Sequence, residues 1–268
     1  MALLVWIVIF ALLGGILSVL LAGVVLMAKD GHRERIVSPL VSFATGALLG
    51  AAFLGLLPHA LASPSIDDFH DITAAVLAGI LVFFLLEKFV IWRHCHSAHC
   101  EAHGAEVDHS PRPEDDGHRE SSASVLILIG DSLHNFIDGV LIAAAFMTDF
   151  HLGVVTAFAV IAHEIPQELG DFVVLLNGGF SRKQALIFNI LSSLTTVLGA
   201  VLAYFMLQGL EHVLPYVLAV AAASFIYVAV ADLIPGLHKR VTLGASLQQI
   251  ALISAGVGVI YFSHSSLH

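Results

Sequence analysis

Two apolar stretches carry ionisable side chains where a membrane helix should carry none. The first reads Gly130-Asp131-Ser132-Leu133-His134-Asn135-Phe136-Ile137-Asp138-Gly139. The second reads His163-Glu164-Ile165-Pro166-Gln167-Glu168-Leu169-Gly170-Asp171. Residues three or four apart share a helix face. Asp131, His134 and Asp138 therefore form one stripe, with Asn135 beside it; His163 and Gln167 share a face of the second helix, and Glu164, Glu168 and Asp171 an adjoining one. An ionised Asp at the centre of a bilayer helix costs about 2.5–3.5 kcal/mol on insertion scales. The stretches themselves hold no Lys or Arg, so the expected compensating partner is a metal cation. Imidazole, carboxylate and amide donors suit Zn2+, Fe2+ or Mn2+ better than Ca2+ or Cu+. The candidate ligands His134, Asn135, Asp138, His163, Glu164, Gln167 and Glu168 exceed one four-coordinate site. Two adjacent metal positions sharing a carboxylate are expected. A lone His in an apolar helix is ordinarily a hydrogen-bonded core residue; two His with several carboxylates at matched helical phase go beyond that. Pro166 cannot donate a backbone hydrogen bond and crowds the carbonyl of Ala162, which predicts a kink beside the ligands.

The elements that must position these groups are membrane spans. The 268 residues are 58% hydrophobic and 12% charged, with mean hydropathy +0.92; a soluble domain has roughly 45–50% apolar and 25% charged residues. A span needs about 20 mostly apolar residues. Eight segments qualify, near 2–28, 37–61, 70–92, 123–147, 150–176, 184–209, 212–238 and 244–263. The apolar N-terminal run is expected to be a retained helix, since it lacks a basic leader and a clear cleavage site. The chain is thus expected to be an all-α integral membrane protein, a single membrane domain over 1–268.

Every one of the 11 basic residues falls in an alternate connection: Lys29, Arg33 and Arg35; Lys88, Arg93, Arg112 and Arg119; Arg182 and Lys183; Lys239 and Arg240. By the positive-inside rule these connections are cytoplasmic and both termini extracytoplasmic. The long connection, residues 93–122, is then a cytoplasmic His-rich loop. Its His94, Cys95, His96, His99, Cys100 and His103 are candidates for metal capture, although their spacing matches no closed zinc-finger pattern. Two Cys in one loop make no disulfide framework. Further path candidates are His59 near the outer end of span two, Asp131, Asp171, Asn189 and, beside Tyr227, Asp232. Asn189, Ser192 and Ser193 equally suit hydrogen bonding between helices. Gly46 and Gly50 are expected to let span two approach a neighbour closely. Leu56-Leu57-Pro58-His59 and Leu233-Ile234-Pro235-Gly236 close spans of opposite direction, a hint of an inverted repeat.

His134-Asn135-Phe136-Ile137-Asp138-Gly139 followed by His163-Glu164-Ile165-Pro166-Gln167-Glu168 resembles the paired motif of the ZIP family of zinc and iron transporters. The span count, the sidedness and the His-rich loop extend the likeness over essentially the whole chain. The resemblance implies a divalent metal transporter, not an enzyme. It implies movement of the ion, zinc first with Fe2+, Mn2+ or Cd2+ as alternatives, into the cytoplasm through a binuclear site between spans four and five. It also implies a 3+2+3 arrangement in which spans one to three and six to eight are related bundles. Carried over by position, the ligands are the seven named above. This chain departs from many animal members in having Gln167 where they have a second His, and Gly55 where many relatives offer a ligand in span two. The expected partners are divalent metal ions and the lipid bilayer, with a homodimer as an option and no nucleic acid. The expected location is a cell membrane, a bacterial inner membrane first. The rival readings are a proton-coupled metal exporter, a metal sensor without flux, and an intramembrane zinc hydrolase. For the last, Gln167 stands where His-Glu-x-x-His needs its second His.

Overall fold

The computed structural model describes residues 2–27, 30–94 and 117–265. The side chains of His94, Cys95, His96, His99, Cys100 and His103 lie outside the described residues. The rest is helical, with no strand among the described residues. In chain order we label the helices α1, Ala2–Leu26; α2, 30–61; α3, Phe69–His94; α4, Gly117–Thr148; α5, Phe150–Asn177; α6, Arg182–Leu207; α7, Glu211–Leu237; and α8, Leu243–Ser265. Seven contain stretches long and apolar enough to cross a membrane. The other, α5, has the length, at 28 residues, but its middle carries Glu164, Glu168 and Asp171.

Packing does not follow chain order. α4 lies along α6, and α1 packs on α4, α5 and α6; α2 lies along α8 and against α7, and α3 lies along α7. α5 touches both groups, meeting α1 and α4 on one side and α2 on the other. The 3+2+3 grouping by sequence is therefore not the grouping by contact. The reason is visible at glycines. A Cβ on Gly139 would run into the Thr196 carbonyl, and one on Gly199 into the Phe136 carbonyl; only hydrogen at both positions lets the α4 and α6 backbones touch. Gly46 and Gly50 play the expected role on α2, against Ile253, Val257 and Ile260 of α8.

The Leu-x-Pro strings share a local structure. Residues Ala51–Leu56 and Val228–Leu233 are both six-residue π-helical stretches, each ending two residues before a proline, Pro58 and Pro235. A proline ring crowds the carbonyl four residues earlier and offers it no N–H; widening the turn relieves the crowding. α5 behaves otherwise: it stays α-helical through the buried Pro166, so the expected kink does not interrupt the helix. Its start is fixed by Asp149, whose carboxylate accepts from the Leu152 N–H at 2.9 Å. Partial burial pushes the Asp149 carboxyl up. The N–H groups of Leu152 and His151 outweigh that and hold it below the ordinary carboxylate range.

Candidate metal centre

α4 and α5 bring four ligand atoms together: one nitrogen each from His134 and His163, one oxygen each from Asp138 and Glu164, all within 4.8 Å of one another. The two Nε2 atoms are 3.3 Å apart. His163 Nε2 lies 3.2 Å from Asp138 Oδ2 and 3.6 Å from Glu164 Oε1. His134 Nε2 lies 3.4 Å from Glu164 Oε1 and 3.7 Å from Asp138 Oδ2. A tetrahedron with ligands about 2.0–2.1 Å from zinc has edges of about 3.3–3.4 Å. Five of the six separations among these donors therefore sit close to tetrahedral spacing before any ion is considered.

The surroundings point the same way. Asp138, His163 and Glu164 are 1% exposed and His134 17%. None of the four carboxylate oxygens of Asp138 and Glu164 accepts a hydrogen bond. Such orphaned buried acceptors are rare, because each forfeits its hydration without return. A divalent ion restores both charge and coordination. His163 is prepared for one. Its Nδ1 lies 3.0 Å from the Ala159 carbonyl, which can only accept, so Nδ1 carries a proton and, in the neutral ring, Nε2 has the lone pair. That second partner of the imidazole is typical of metal-bound His. The ring of Phe225, edge-on at 6.0 Å, supports it from α7.

The remaining sequence candidates part company here. Asn135 is buried and its amide is engaged: Oδ1 accepts from Thr196 at 2.8 Å, and Nδ2 donates to Asp131 Oδ1 at 2.9 Å. Gln167 is half-buried one turn after His163. Glu168 is fully buried and lies outside the four-atom group, in electrostatic reach of Asp131, Glu164 and Asp171. Asp131 takes a 2.5 Å hydrogen bond from Ser192, and its carboxyl faces that of Asp171. Asn189 is buried on α6. His59 is distant from the cluster in role: it lines a cavity of about 240 Å³ with Ser63, Thr148 and Glu211. Asp232 is exposed and in electrostatic reach of His134, His163 and Glu87. Glu87, which accepts from the Tyr227 hydroxyl, was not foreseen. A lone Glu near the end of a long apolar helix was the available signal. Thr196 was likewise missed, since nothing in the chain's order tells that α6 lies on α4.

The description ZIP zinc transporter belongs to the family model that matches residues 2–264. The chain belongs to the ZIP zinc transporter family. Zinc transporter ZIP13 of Pongo abelii is 33% identical over 236 residues, 82% of this chain and 65% of that protein. Metal cation symporter ZIP14 of Xenopus tropicalis is 30% identical over 270 residues, 81% of this chain and 58% of its own length. Human zinc transporter ZIP4 is 31% identical over 273 residues, 81% and 41% respectively. The chain thus spans less than two thirds of these family members. All three are named as transporters or a symporter, none as an enzyme. All three are animal proteins, which lends nothing to the bacterial inner membrane expected from sequence.

Proposed function

We propose that this chain moves a divalent transition-metal ion, zinc first, across a membrane through the four-ligand cluster of His134, Asp138, His163 and Glu164. The observation that carries the reading is the convergence of two imidazoles and two buried carboxylates that accept no hydrogen bond, at near-tetrahedral spacing. The names of the similar ZIP13 and ZIP4 proteins support zinc, and that of ZIP14 a wider range of cations.

Orientation follows from the charge pattern: with the basic connections cytoplasmic, both termini lie outside. Inward travel of the ion is what the resemblance of the paired motif to the ZIP family implies. His59 and the acids of the outer connections first meet it. In the cluster it exchanges water for the four ligands. His134, the most exposed of these, leads on towards Asp232 and Glu87, the acids nearest the inner ends of α7 and α3. Movement of α1, α4, α5 and α6 against α2, α3, α7 and α8 is the alternation that the packing allows. A single transition-metal position fits better than a binuclear one, because the Asn135 amide is already satisfied within the protein. An exporter and a hydrolase are not favoured: the family's relatives are named for transport, and Gln167 is no second catalytic His.

The test is zinc influx into proteoliposomes that contain a zinc-sensitive dye. His163→Ala and Glu164→Ala are each expected to bring influx down to the rate of protein-free vesicles. Wild-type uptake of zinc, iron and manganese by either variant would overturn the reading.

A further inference from the structure

The two π-helical stretches are alike, but the short helical ends beyond them are held differently. Beyond Ala51–Leu56, the outer end of α2 secures itself. The Ala62 N–H donates to the Pro58 carbonyl at 2.9 Å, and His59 Nδ1 donates to the Gly55 carbonyl at 2.9 Å. Beyond Val228–Leu233, the inner end of α7 is four residues long, Ile234–Leu237. The backbone bonds that close it are stretched. The His238 N–H reaches the Ile234 carbonyl at 3.4 Å and the Arg240 N–H the Leu237 carbonyl at 3.3 Å, against an ordinary length of about 2.9–3.0 Å. Leu237 is its one buried side chain; Pro235 and Gly236 are exposed. The shorter bond comes from another helix. Gln249 of α8 donates its amide N–H to the Leu237 carbonyl at 2.9 Å.

The other side of this stretch is anchored. Tyr227, the residue before it, donates its hydroxyl to Glu87 of α3, and its ring stacks with Phe83 at 6.4 Å. Two residues earlier, Phe225 meets the His163 ring. Asp232 rides on the stretch itself, in electrostatic reach of His134 and His163. A π-helical turn departs from the bonding ladder that stiffens an α-helix, and such turns gather at functional sites. Pro235 has no N–H with which to restore the ladder. A firm anchor, a soft turn and a four-residue end tied to its neighbour by a side-chain hydrogen bond have the form of a hinge, a flap and a latch.

We propose that Ile234–Leu237 is a flap that swings on the Val228–Leu233 hinge, and that Gln249 latches it shut across the inner end of the ion's path. The inference deepens the transport reading and rests on it. Hinge, flap and latch all lie within the group of α2, α3, α7 and α8. The flap is therefore a gate additional to the movement of one helix group against the other. Its opening carries Asp232 away from the cluster and lets the ion leave inward.

The test is zinc influx into proteoliposomes of the full chain, with the maximum rate and the half-saturating zinc concentration measured separately. Gln249→Met keeps the length of the side chain and loses the donor. It should raise both quantities together by roughly 2- to 10-fold, the equilibrium weight of one hydrogen bond. Their ratio should keep its wild-type value, because a step that follows commitment of the ion does not enter it. Gln249→Glu, which also lacks the donor, serves as a second variant and should behave alike. Hydrogen exchange read by mass spectrometry should show the amides of residues 234–240 exchanging faster in both variants, with residues 214–227 unchanged. A lowered maximum rate would make Gln249 a structural support and overturn the gate. So would wild-type influx and exchange in both variants, and either result leaves the transport reading standing. Absence of zinc influx in the wild type would sink that reading and the gate with it.

Discussion

His163 owes its readiness for a cation to one backbone carbonyl. By occupying Nδ1, Ala159 leaves Nε2 as the lone-pair nitrogen, aimed at Asp138, Glu164 and His134. That these four donors could converge was legible in the sequence, because helical spacing alone puts His134 with Asp138 and sets His163 beside Glu164. The division of labour among their neighbours was not. Asn135 and Glu168 share the helical phase of the four converging donors, yet Thr196 and Asp131 engage the first and the second stands outside the group, among Asp131, Glu164 and Asp171. Those outcomes depend on which residues of α6 meet α4, a matter of tertiary contact. Gln167 gives the residue-scale prediction. It follows His163 by one turn, and an amide oxygen is a weaker zinc donor than an imidazole. Gln167→His should therefore tighten zinc binding and raise preference for zinc over Mn2+, as measured by competition between the two ions for uptake. Unchanged preference would show that Gln167 does not reach the ion.

At the level of helices, apolar length located the helical segments to within a few residues, except that α2 begins at residue 30 rather than near 37 and α4 at Gly117 rather than near 123. Seven of the eight have the length and apolarity of a span. The first turns of α4 are polar, and hydropathy is blind to a helix that extends beyond the apolar layer. The π-helical stretches of α2 and α7 were beyond reach as geometry, although the Leu-x-Pro strings that follow them were noticed. Pro166 shows why the inference does not run from proline alone: in α5 it is accommodated within a continuous helix. The cap of α5 yields a prediction with a definite sign. The folded state lowers the Asp149 carboxyl below its ordinary value, so the stabilisation it gives is complete above the unfolded pKa of about 3.9. It is lost as pH falls through the lower folded value. Asp149→Ala should cost about 1 kcal/mol at pH 7, seen as a lower unfolding temperature in detergent, and the gap to wild type should close in strong acid. A gap that persists there would mean the side chain acts by packing and not as a charged cap.

For the whole molecule, composition was enough to establish a multi-helix membrane class, and the alternation of basic residues was enough to propose its sidedness. Contact order was not legible. α1 sits with α4, α5 and α6 rather than with its sequence neighbours, since a Cβ on its Gly15 would meet the Ser193 carbonyl of α6; close approach at Gly139 and Gly199 pairs α4 with α6, and at Gly46 α2 with α8. That assembly leaves α5 between two groups of helices and puts the four ligands where those groups meet. The central claim is that a metal ion in passage is held there by two imidazoles and two carboxylates. X-ray absorption at the zinc edge, on the zinc-loaded protein, tests it directly. The account predicts four nitrogen or oxygen neighbours at about 2.0–2.1 Å, two of them imidazoles, with one imidazole left in His163→Ala and none in the His134→Ala, His163→Ala double variant. An imidazole count that stays the same in the double variant would contradict it.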